Sequence, residues 1–214
     1  MTPQIEVGDS DVLLVIDVQI DFCPGGRLAV PHGDEVVPLI NRIARRIKHV
    51  VLTQDWHPQE HLSFASAHPG RKPFESVTVP YGTQVLWPDH CVQGTRGAEF
   101  HPDLRIPHAE LILRKGFRPA IDSYSAFHEN DRKTRTGLAG YLRERGLTRV
   151  LLAGLALDYC VRYSAEDAVR AGFATTVIVD ACRGIDGDGS VAETHRSFAA
   201  LGVVSVNADA VARP

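Results

Sequence analysis

The sequence predicts a three-layer α/β/α fold, in which a six-stranded, mostly parallel sheet lies between helices. Two observations predict it. Short apolar runs alternate along the chain with segments whose apolar residues recur at helical spacing. Several of these runs are apolar throughout, as expected of parallel strands that are buried on both faces. The chain has 214 residues, 44% of them hydrophobic, which suffices for one sizeable core. We therefore expect one domain over residues 1–214.

The strands are predicted from their apolar runs. The first run, DVLLVID, ends in a carboxylate, and the others are rich in valine, leucine and isoleucine. In chain order the predicted strands are Asp11–Asp17, His49–Thr53, Glu110–Arg114, Arg149–Gly154, Thr175–Asp180 and Val203–Val206.

The helices are predicted from the spacing of apolar residues between these strands. In the first helix, valine, isoleucine and alanine recur three or four residues apart, and Gly146 is placed to end the second. The turn GIDGDGS, Gly184–Ser190, is predicted to cap the last helix. In chain order the predicted helices are Gly33–Lys48, Thr136–Gly146, about Tyr159–Ala171 and Val191–Leu201.

One long segment interrupts this alternation. Residues 54–107 show no long helix or strand pattern and are rich in proline, glycine and histidine. A connection of this length inside a compact domain is usually functional. Six of the ten histidines lie in it or at its end: His57, His61, His68, His90, His101 and His108. We expect a metal-binding loop region at about residues 54–107.

Composition argues against several classes of protein. The formal net charge of −3 gives no electrostatic basis for nucleic-acid binding. No apolar run approaches the roughly 20 residues that span a membrane, and the first residues do not resemble a secretory signal. The four dispersed cysteines are expected to be free thiols, which suits a cytoplasmic protein. Whether copies of the chain form a homo-oligomer stays open.

Chemically active side chains follow the carboxyl ends of four predicted strands. Asp17 ends the first strand, Asp55 and His57 follow the second, Lys115 ends the third, and Cys160 follows the fourth. Ligands of open α/β sheets bind outside these strand ends. A carboxylate, an ammonium, a thiol and a candidate metal pair are therefore expected at one rim, an arrangement that indicates an enzyme.

Cys160 is predicted to lie where a helix begins. The positive end of the helix dipole and a nearby Lys115 ammonium would lower the pKa of its thiol, and Asp17 could exchange the proton that moves during attack. Taken alone, Cys160 also fits a buried core thiol, Lys115 a surface lysine and Asp17 a strand-end cap.

Asp55 and His57 lie two residues apart, so that an extended backbone places both side chains on one side. His90, in WPDHC, is a third candidate ligand on the same loop, and His61 is a candidate extra ligand or supporting group. One carboxylate and two imidazoles suit Zn²⁺, Fe²⁺ or Mn²⁺ with positions left open for water or substrate. The alternative is a set of histidines on a solvated loop.

Long motifs in a fixed order resemble the nicotinamidase branch of the isochorismatase-like cysteine hydrolases. The resemblance runs from Val12 to about Val206. It covers DVQIDFCPGGRLAV, TQDWHPQEHLSFA, WPDHCVQGTRGAEF, RKGF, DSYSAF and GLALDYCVRYSAEDAVRAG. It implies a six-stranded parallel sheet between helices, a catalytic triad and one divalent metal ion, most often Zn²⁺. By this resemblance the triad is Asp17, Lys115 and Cys160, and the metal ligands are Asp55, His57 and His90.

The resemblance also implies how the substrate is held. A cis peptide bond before Ala156 would direct the backbone N–H groups of Ala156 and Cys160 at one point, forming an oxyanion hole. Phe22, Trp87 and Tyr124 match an aromatic pocket for the nicotinamide ring, whose pyridine nitrogen binds the metal. The chain departs from the family pattern at Ile20, commonly asparagine, and at Leu157, commonly threonine. Leu157 removes a hydroxyl near the oxyanion turn, which puts the rate and substrate range in doubt.

The implied reaction is hydrolysis of nicotinamide to nicotinate and ammonia through a cysteine thioester, a step of NAD salvage, with pyrazinamide as a further substrate. A related cysteine amidase acting on ureidoacrylate, maleamate or N-carbamoylsarcosine is the nearest alternative, against which the DxH and WPDHC motifs argue. Cys160 argues against an isochorismatase proper. A non-catalytic metal-binding domain on the same fold is an alternative of another class.

Overall fold

The computed structural model describes residues 4–212. Its central sheet has six strands, which lie in the order β3-β2-β1-β4-β5-β6 and are all parallel. The predicted sheet is therefore confirmed. The strands are β1 Asp11–Ile16, β2 His49–Asp55, β3 Leu111–Lys115, β4 Arg149–Leu155, β5 Ala174–Arg183 and β6 Val204–Val206.

Helices cover both faces of the sheet, which confirms the three-layer prediction. Helix α1 packs on one face together with the chain's C-terminal turns, and α2, α3 and α4 contribute to the core on the other. Strand β1 shows why its sequence is apolar throughout: Leu13 and Val15 face one core, whereas Leu14 and Ile16 face the other. The helices are α1 Val36–Ala44, α2 Leu138–Glu144, α3 Arg162–Arg170 and α4 Ser190–Leu201.

Most predicted elements differ from the structure by a few residues at an end, among them α1 and β5 at their C-terminal ends. Helix α1 ends at Ala44 rather than Lys48 because the chain tightens there, with the Ile47 amide bonded to the Ala44 carbonyl. Ile47 is nevertheless buried. Its apolar side chain continues the helical spacing of the sequence past Ala44, which is why the predicted helix was too long. Strand β5 continues to Arg183, three residues past the predicted end, after its pairing with β4 shifts register.

The long connection between β2 and β3 is ordered by its own pairing. It contains a small antiparallel hairpin, Ser76–Val79 with Gly82–Val85. Phe64 bridges to Trp87, and His57 bridges to Val92. These bridges fold the segment back on itself, so that His57 and His90 come together although they are far apart in sequence.

The strand order creates a crevice beside β1 and β4. Strands β2 and β3 are added to the sheet on the β1 side of this pair, and β5 and β6 on the β4 side. Ligands of such sheets bind at this switch point, outside the carboxyl ends of the strands. Within residues 4–212, no helix is long and apolar enough to cross a membrane.

Candidate active site

Four strands deliver the predicted residues to this crevice. Asp17 directly follows β1, Asp55 ends β2, and Lys115 ends β3 as the register partner of Asp55. Ala156 follows β4 across a cis Leu155–Ala156 peptide bond, as the resemblance implies. Cys160 lies in a π-helical turn, Leu157–Val161, directly before α3.

The Lys115 ammonium connects these groups. Its Nζ lies 2.8 Å from Asp17 Oδ2, 2.8 Å from Asp55 Oδ1 and 3.5 Å from Cys160 Sγ. It also donates a hydrogen bond of 2.8 Å to the Ser123 carbonyl. Burial lowers the pKa of Lys115, but the two carboxylates outweigh burial and hold that pKa well above its usual range. Lys115 is therefore a permanent buried positive charge.

Asp17 has the character of a buried base. Its Oδ1 accepts a 2.6 Å hydrogen bond from Thr53 Oγ1. Its Oδ2 contacts Lys115 as an ion pair but accepts no well-directed hydrogen bond within the described residues. Burial raises the pKa of Asp17, as does the charge of Asp55, and both outweigh the opposing effects of Lys115 and Thr53. Asp17 is therefore a stronger proton acceptor than an exposed aspartate.

Burial raises the pKa of the Cys160 thiol well above its usual range, and the charges of Asp17 and Asp55 raise it further. Lys115 lowers that pKa, as the sequence predicts, but by less than burial raises it. The prediction of a lowered pKa is therefore wrong for this arrangement. Cys160 rests as a thiol, and its attack on a substrate requires a base to remove the proton.

The three predicted metal ligands lie together. One donor atom from each of Asp55, His57 and His90 lies within 4.8 Å of the other two, and all three side chains are buried. His57 Nε2 is 3.2 Å and His90 Nε2 is 3.6 Å from Asp55 Oδ2. The alternative of histidines on a solvated loop does not describe this cluster.

The opposite nitrogens of both rings are held by backbone carbonyls. His57 Nδ1 lies 2.9 Å from the Gly116 carbonyl, and His90 Nδ1 lies 2.8 Å from the Pro88 carbonyl. Because a carbonyl oxygen only accepts, each Nδ1 carries a proton, which leaves each Nε2 as the atom that could bind a cation shared with Asp55. Such outer hydrogen bonds orient metal-binding imidazoles. The chemistry of this donor set therefore fits a divalent metal.

Gly116 makes the close approach of His57 feasible. Its φ is +66°, and a Cβ atom at this position would lie 2.5 Å from His57 Cε1. Any side chain would therefore displace the imidazole. The glycine of the RKGF motif thus lets one short turn supply both the Lys115 ammonium and the carbonyl that orients His57.

His61 lies beside this cluster, with its ring centroid 4.3 Å from that of His57. His57, His61 and Asp122 form a second group whose donor atoms lie within 4.8 Å of one another. His61 Nδ1 lies 2.7 Å from Ser63 Oγ and Nε2 lies 3.3 Å from the Ile121 carbonyl. Burial lowers the pKa of His61 to about 4. Because both ring nitrogens have protein partners, these contacts favour a supporting role.

A small cavity of about 20 Å³ opens between the thiol and the metal-ligand cluster. Its walls include all the predicted pocket and oxyanion residues: Phe22, Trp87, Tyr124, Ala156 and Cys160. The Tyr124 hydroxyl accepts a 3.1 Å hydrogen bond from Trp87 Nε1, which ties two of these aromatic walls together. The cavity is narrow, so the side chains of its walls limit the size of the ligand that can enter.

Further residues that the sequence did not single out also line this cavity: Leu28, Asp122, Tyr159 and Ile185. Tyr159 adjoins the predicted nucleophile, and its position in the motif LDYC was the available signal. Ile185 carried no signal, because it comes from a turn about 25 residues beyond the thiol that only the tertiary fold returns to the crevice.

The two departures from the family pattern lie outside the catalytic contacts. Ile20 begins a short 3₁₀ turn and is half-buried. Leu157 is buried and packs in the core beneath α3 rather than lining the cavity. An apolar leucine side chain therefore lies in the core where the family commonly has a threonine with its hydroxyl group.

Comparison with known proteins decides the family. A family model described as the isochorismatase domain matches residues 11–209. The chain belongs to the isochorismatase family. Among its relatives, the nicotinamidase of Acinetobacter baylyi is 53% identical over 195 residues, which cover 91% of this chain and 91% of that protein. The predicted resemblance is thereby confirmed.

Solved structures of isochorismatase-family members show the same likeness. The nicotinamidase/pyrazinamidase of Acinetobacter baumanii is 53% identical, with a TM-score of 0.94 over 95% of this chain and 99% of that chain. A pyrazinamidase of Pyrococcus horikoshii, solved in complex with zinc, is 34% identical. Its TM-score is 0.76 over 92% of this chain and 99% of that chain.

Proposed function

We propose that this protein is an amidohydrolase that converts nicotinamide and water to nicotinate and ammonia, and that it also hydrolyses pyrazinamide. One observation carries the proposal: a buried lysine lies within 3.5 Å of both a thiol and a carboxylate, beside a metal-ligand cluster. The similarity to nicotinamidases over most of the chain supports nicotinamide as the substrate. The activity belongs to NAD salvage.

In the first half of the reaction, Asp17 removes the proton from Cys160 as the sulfur attacks the carboxamide carbon. The substrate oxygen becomes negative and accepts hydrogen bonds from the backbone N–H groups of Ala156 and Cys160. Asp17 then gives its proton to the amide nitrogen, which leaves as ammonia. A nicotinoyl thioester remains on Cys160.

In the second half, Asp17 removes a proton from water, whose oxygen attacks the thioester carbon. Collapse of this intermediate breaks the carbon–sulfur bond and releases nicotinic acid, which ionises to nicotinate. The departing sulfur takes the proton back from Asp17, which restores the starting thiol and carboxylate. Lys115 acts by its charge, since it stabilises the Asp17 carboxylate and the transient thiolate.

Asp55, His57 and His90 would hold one divalent metal ion, for which this donor set suits Zn²⁺ first and Fe²⁺ or Mn²⁺ as alternatives. When bound, the ion supplies a Lewis-acidic coordination position for the pyridine nitrogen. Phe22, Trp87 and Tyr124 bind the ring by stacking and edge contacts and exclude water. We propose that the chain forms one domain over residues 1–214, in which the segment at about 54–107 provides the metal-binding loop.

Product analysis tests this function. Purified protein is incubated separately with nicotinamide, pyrazinamide, ureidoacrylate, maleamate and N-carbamoylsarcosine, and ammonia and the acid product are measured. We expect nicotinate and ammonia in equal amounts from nicotinamide, and the corresponding acid from pyrazinamide. Turnover of one of the other amides without turnover of nicotinamide would favour a related amidase, and no turnover of any of them would favour a non-catalytic domain.

A further inference from the structure

We propose that the turn at residues 184–190 determines which ring substituents the pocket accepts, and that Asp158 is the positioning residue that holds this turn against the pocket. The inference rests on the proposed function, because it concerns the substrate range of the same site. It is carried by the hydrogen bonds of one buried carboxylate and by the residue that this carboxylate places in the cavity wall.

Asp158 lies two residues before the proposed nucleophile and is 2% exposed. Its Oδ1 accepts a 3.0 Å hydrogen bond from the Ile185 amide. Its Oδ2 accepts a 2.8 Å hydrogen bond from the Asp186 amide and another from Ser190 Oγ. One carboxylate thus holds both ends of the turn, and each bond to a charged acceptor is stronger than a neutral one.

Close packing adds a second constraint at the start of the turn. A Cβ atom at Gly184 would lie 2.4 Å from Val191 Cγ2 and 3.2 Å from Asp158 Oδ1. A side chain at this position would clash with Val191, so glycine lets the backbone pack closely against this residue. The far side of the turn is different, because residues 186–189 are exposed. The position of the turn therefore depends chiefly on its contacts with Asp158 and Val191.

Ile185 is the residue that this arrangement brings to the pocket. Its side chain lines the cavity together with Tyr159 and Cys160, whereas the next residues point into solvent. Because the cavity is small, the size of this aliphatic wall limits which substituents a ring can carry. In an apolar pocket, room for one extra carbon changes discrimination by about 10- to 200-fold.

The first experiment measures kcat and KM for nicotinamide and for the 2-, 4-, 5- and 6-methylnicotinamides. For Ile185→Ala, we expect kcat/KM of at least one methylnicotinamide to rise at least about tenfold relative to nicotinamide. In Asp158→Asn, one of the two accepting oxygens is replaced by an N–H₂ group, which cannot accept a hydrogen bond from the turn. We therefore expect a higher KM for nicotinamide with a smaller change in kcat. Ser190→Ala, which removes one bond, should change KM in the same direction by less.

Asp180→Asn is the matched control, because Asp180 Oδ1 accepts a hydrogen bond from the Ala208 amide away from the pocket. It should leave KM and the ratios between substrates unchanged. Ratios in Ile185→Ala that match those of the wild type would overturn the proposal. A decrease in kcat without a change in KM for Asp158→Asn would also overturn it, because a residue that positions the pocket wall should act on substrate binding.

A second readout does not depend on nicotinamide being the substrate. The rate of Cys160 modification is measured with small iodoacetamide and with bulkier N-ethylmaleimide. We expect the ratio of the N-ethylmaleimide rate to the iodoacetamide rate to rise at least several-fold in Ile185→Ala and Asp158→Asn, but not in Asp180→Asn. An unchanged ratio contradicts the inference even in an active enzyme. If the ratio rises but the protein does not hydrolyse nicotinamide, the proposed function is refuted, whereas the role of Asp158 and Ile185 in forming the pocket wall is supported.

Discussion

Lys115 Nζ lies 2.8 Å from Asp17 Oδ2, and both side chains are completely buried. A buried ion pair is stable only if each charge has a partner. Here Asp55 and the Ser123 carbonyl complete the surroundings of the ammonium. The pair therefore keeps a charged base at the edge of a pocket where an unpaired aspartate would tend to take up a proton.

Replacing Lys115 with methionine tests the role of this charge. Lys115→Met removes the positive charge beside Asp17 and Cys160, so kcat/KM for nicotinamide should fall at least about a hundredfold. Loss of one partner of a buried ion pair costs about 3–5 kcal/mol of unfolding free energy, so thermal unfolding and circular dichroism are measured alongside activity. Lys48→Met, which removes an exposed lysine paired with Asp9, should leave both unchanged. Near wild-type turnover in folded Lys115→Met would refute the triad.

Cys160 should be the first of the four cysteines to be alkylated. All four are buried, but Cys160 lines the cavity and has Lys115 beside it. Burial raises the pKa of Cys160 as it raises those of Cys23 and Cys182, so the difference in rate should come from the cavity, which Cys160 lines and the other two do not. Limited iodoacetamide and peptide mapping should show activity falling in step with label on Cys160. Equal labelling of Cys23 or Cys182 at that stage would contradict this account.

Thr53 should affect the pH at which activity falls on the acid side of the pH–rate profile, because it contacts the proposed base Asp17. Its hydroxyl donates a hydrogen bond to Asp17 that lowers the pKa of this carboxyl. In Thr53→Val the pKa of Asp17 should rise, so that the base is protonated at higher pH and kcat/KM begins to fall at higher pH than in the wild type. Thr175→Val, which removes a buried hydroxyl bonded to the Phe173 carbonyl, is the control. An acid limb that does not move would argue against Asp17 as the base.

His90→Ala should lose the metal ion and weaken substrate binding. Elemental analysis of protein purified without chelator should give about one divalent ion per wild-type chain and much less in the variant, which lacks one of three ligands. His101→Ala removes a histidine of the same long segment that lies outside the cluster and should retain the ion. Chelation should raise KM for nicotinamide far more than it slows Cys160 alkylation. A metal-free wild type with an unchanged rate in EDTA would mean that the cluster is structural.

Much of this arrangement could be predicted because parallel strands bring their carboxyl ends to one edge. Asp17, Asp55 and Lys115 each end or follow an apolar run, so their meeting followed from the order of elements. That His57 and His90 lie close together could be predicted only from the family resemblance. The isolated bridges that fold the long segment back leave no periodic pattern in the sequence. The raised pKa of Cys160 was missed because burial depends on packing from several distant segments. Ile185 was missed for the same reason.

The rate of ammonia release from nicotinamide by wild-type and Cys160→Ala proteins tests the central claim most directly. Cys182→Ala, which removes another buried thiol outside the cavity, is the matched control. The wild type and the control should release ammonia and nicotinate in equal amounts at similar rates. Cys160→Ala should be slower by at least about a thousandfold while it retains its fold and its metal. Cys160→Ala that hydrolyses nicotinamide at the wild-type rate would contradict the thioester mechanism.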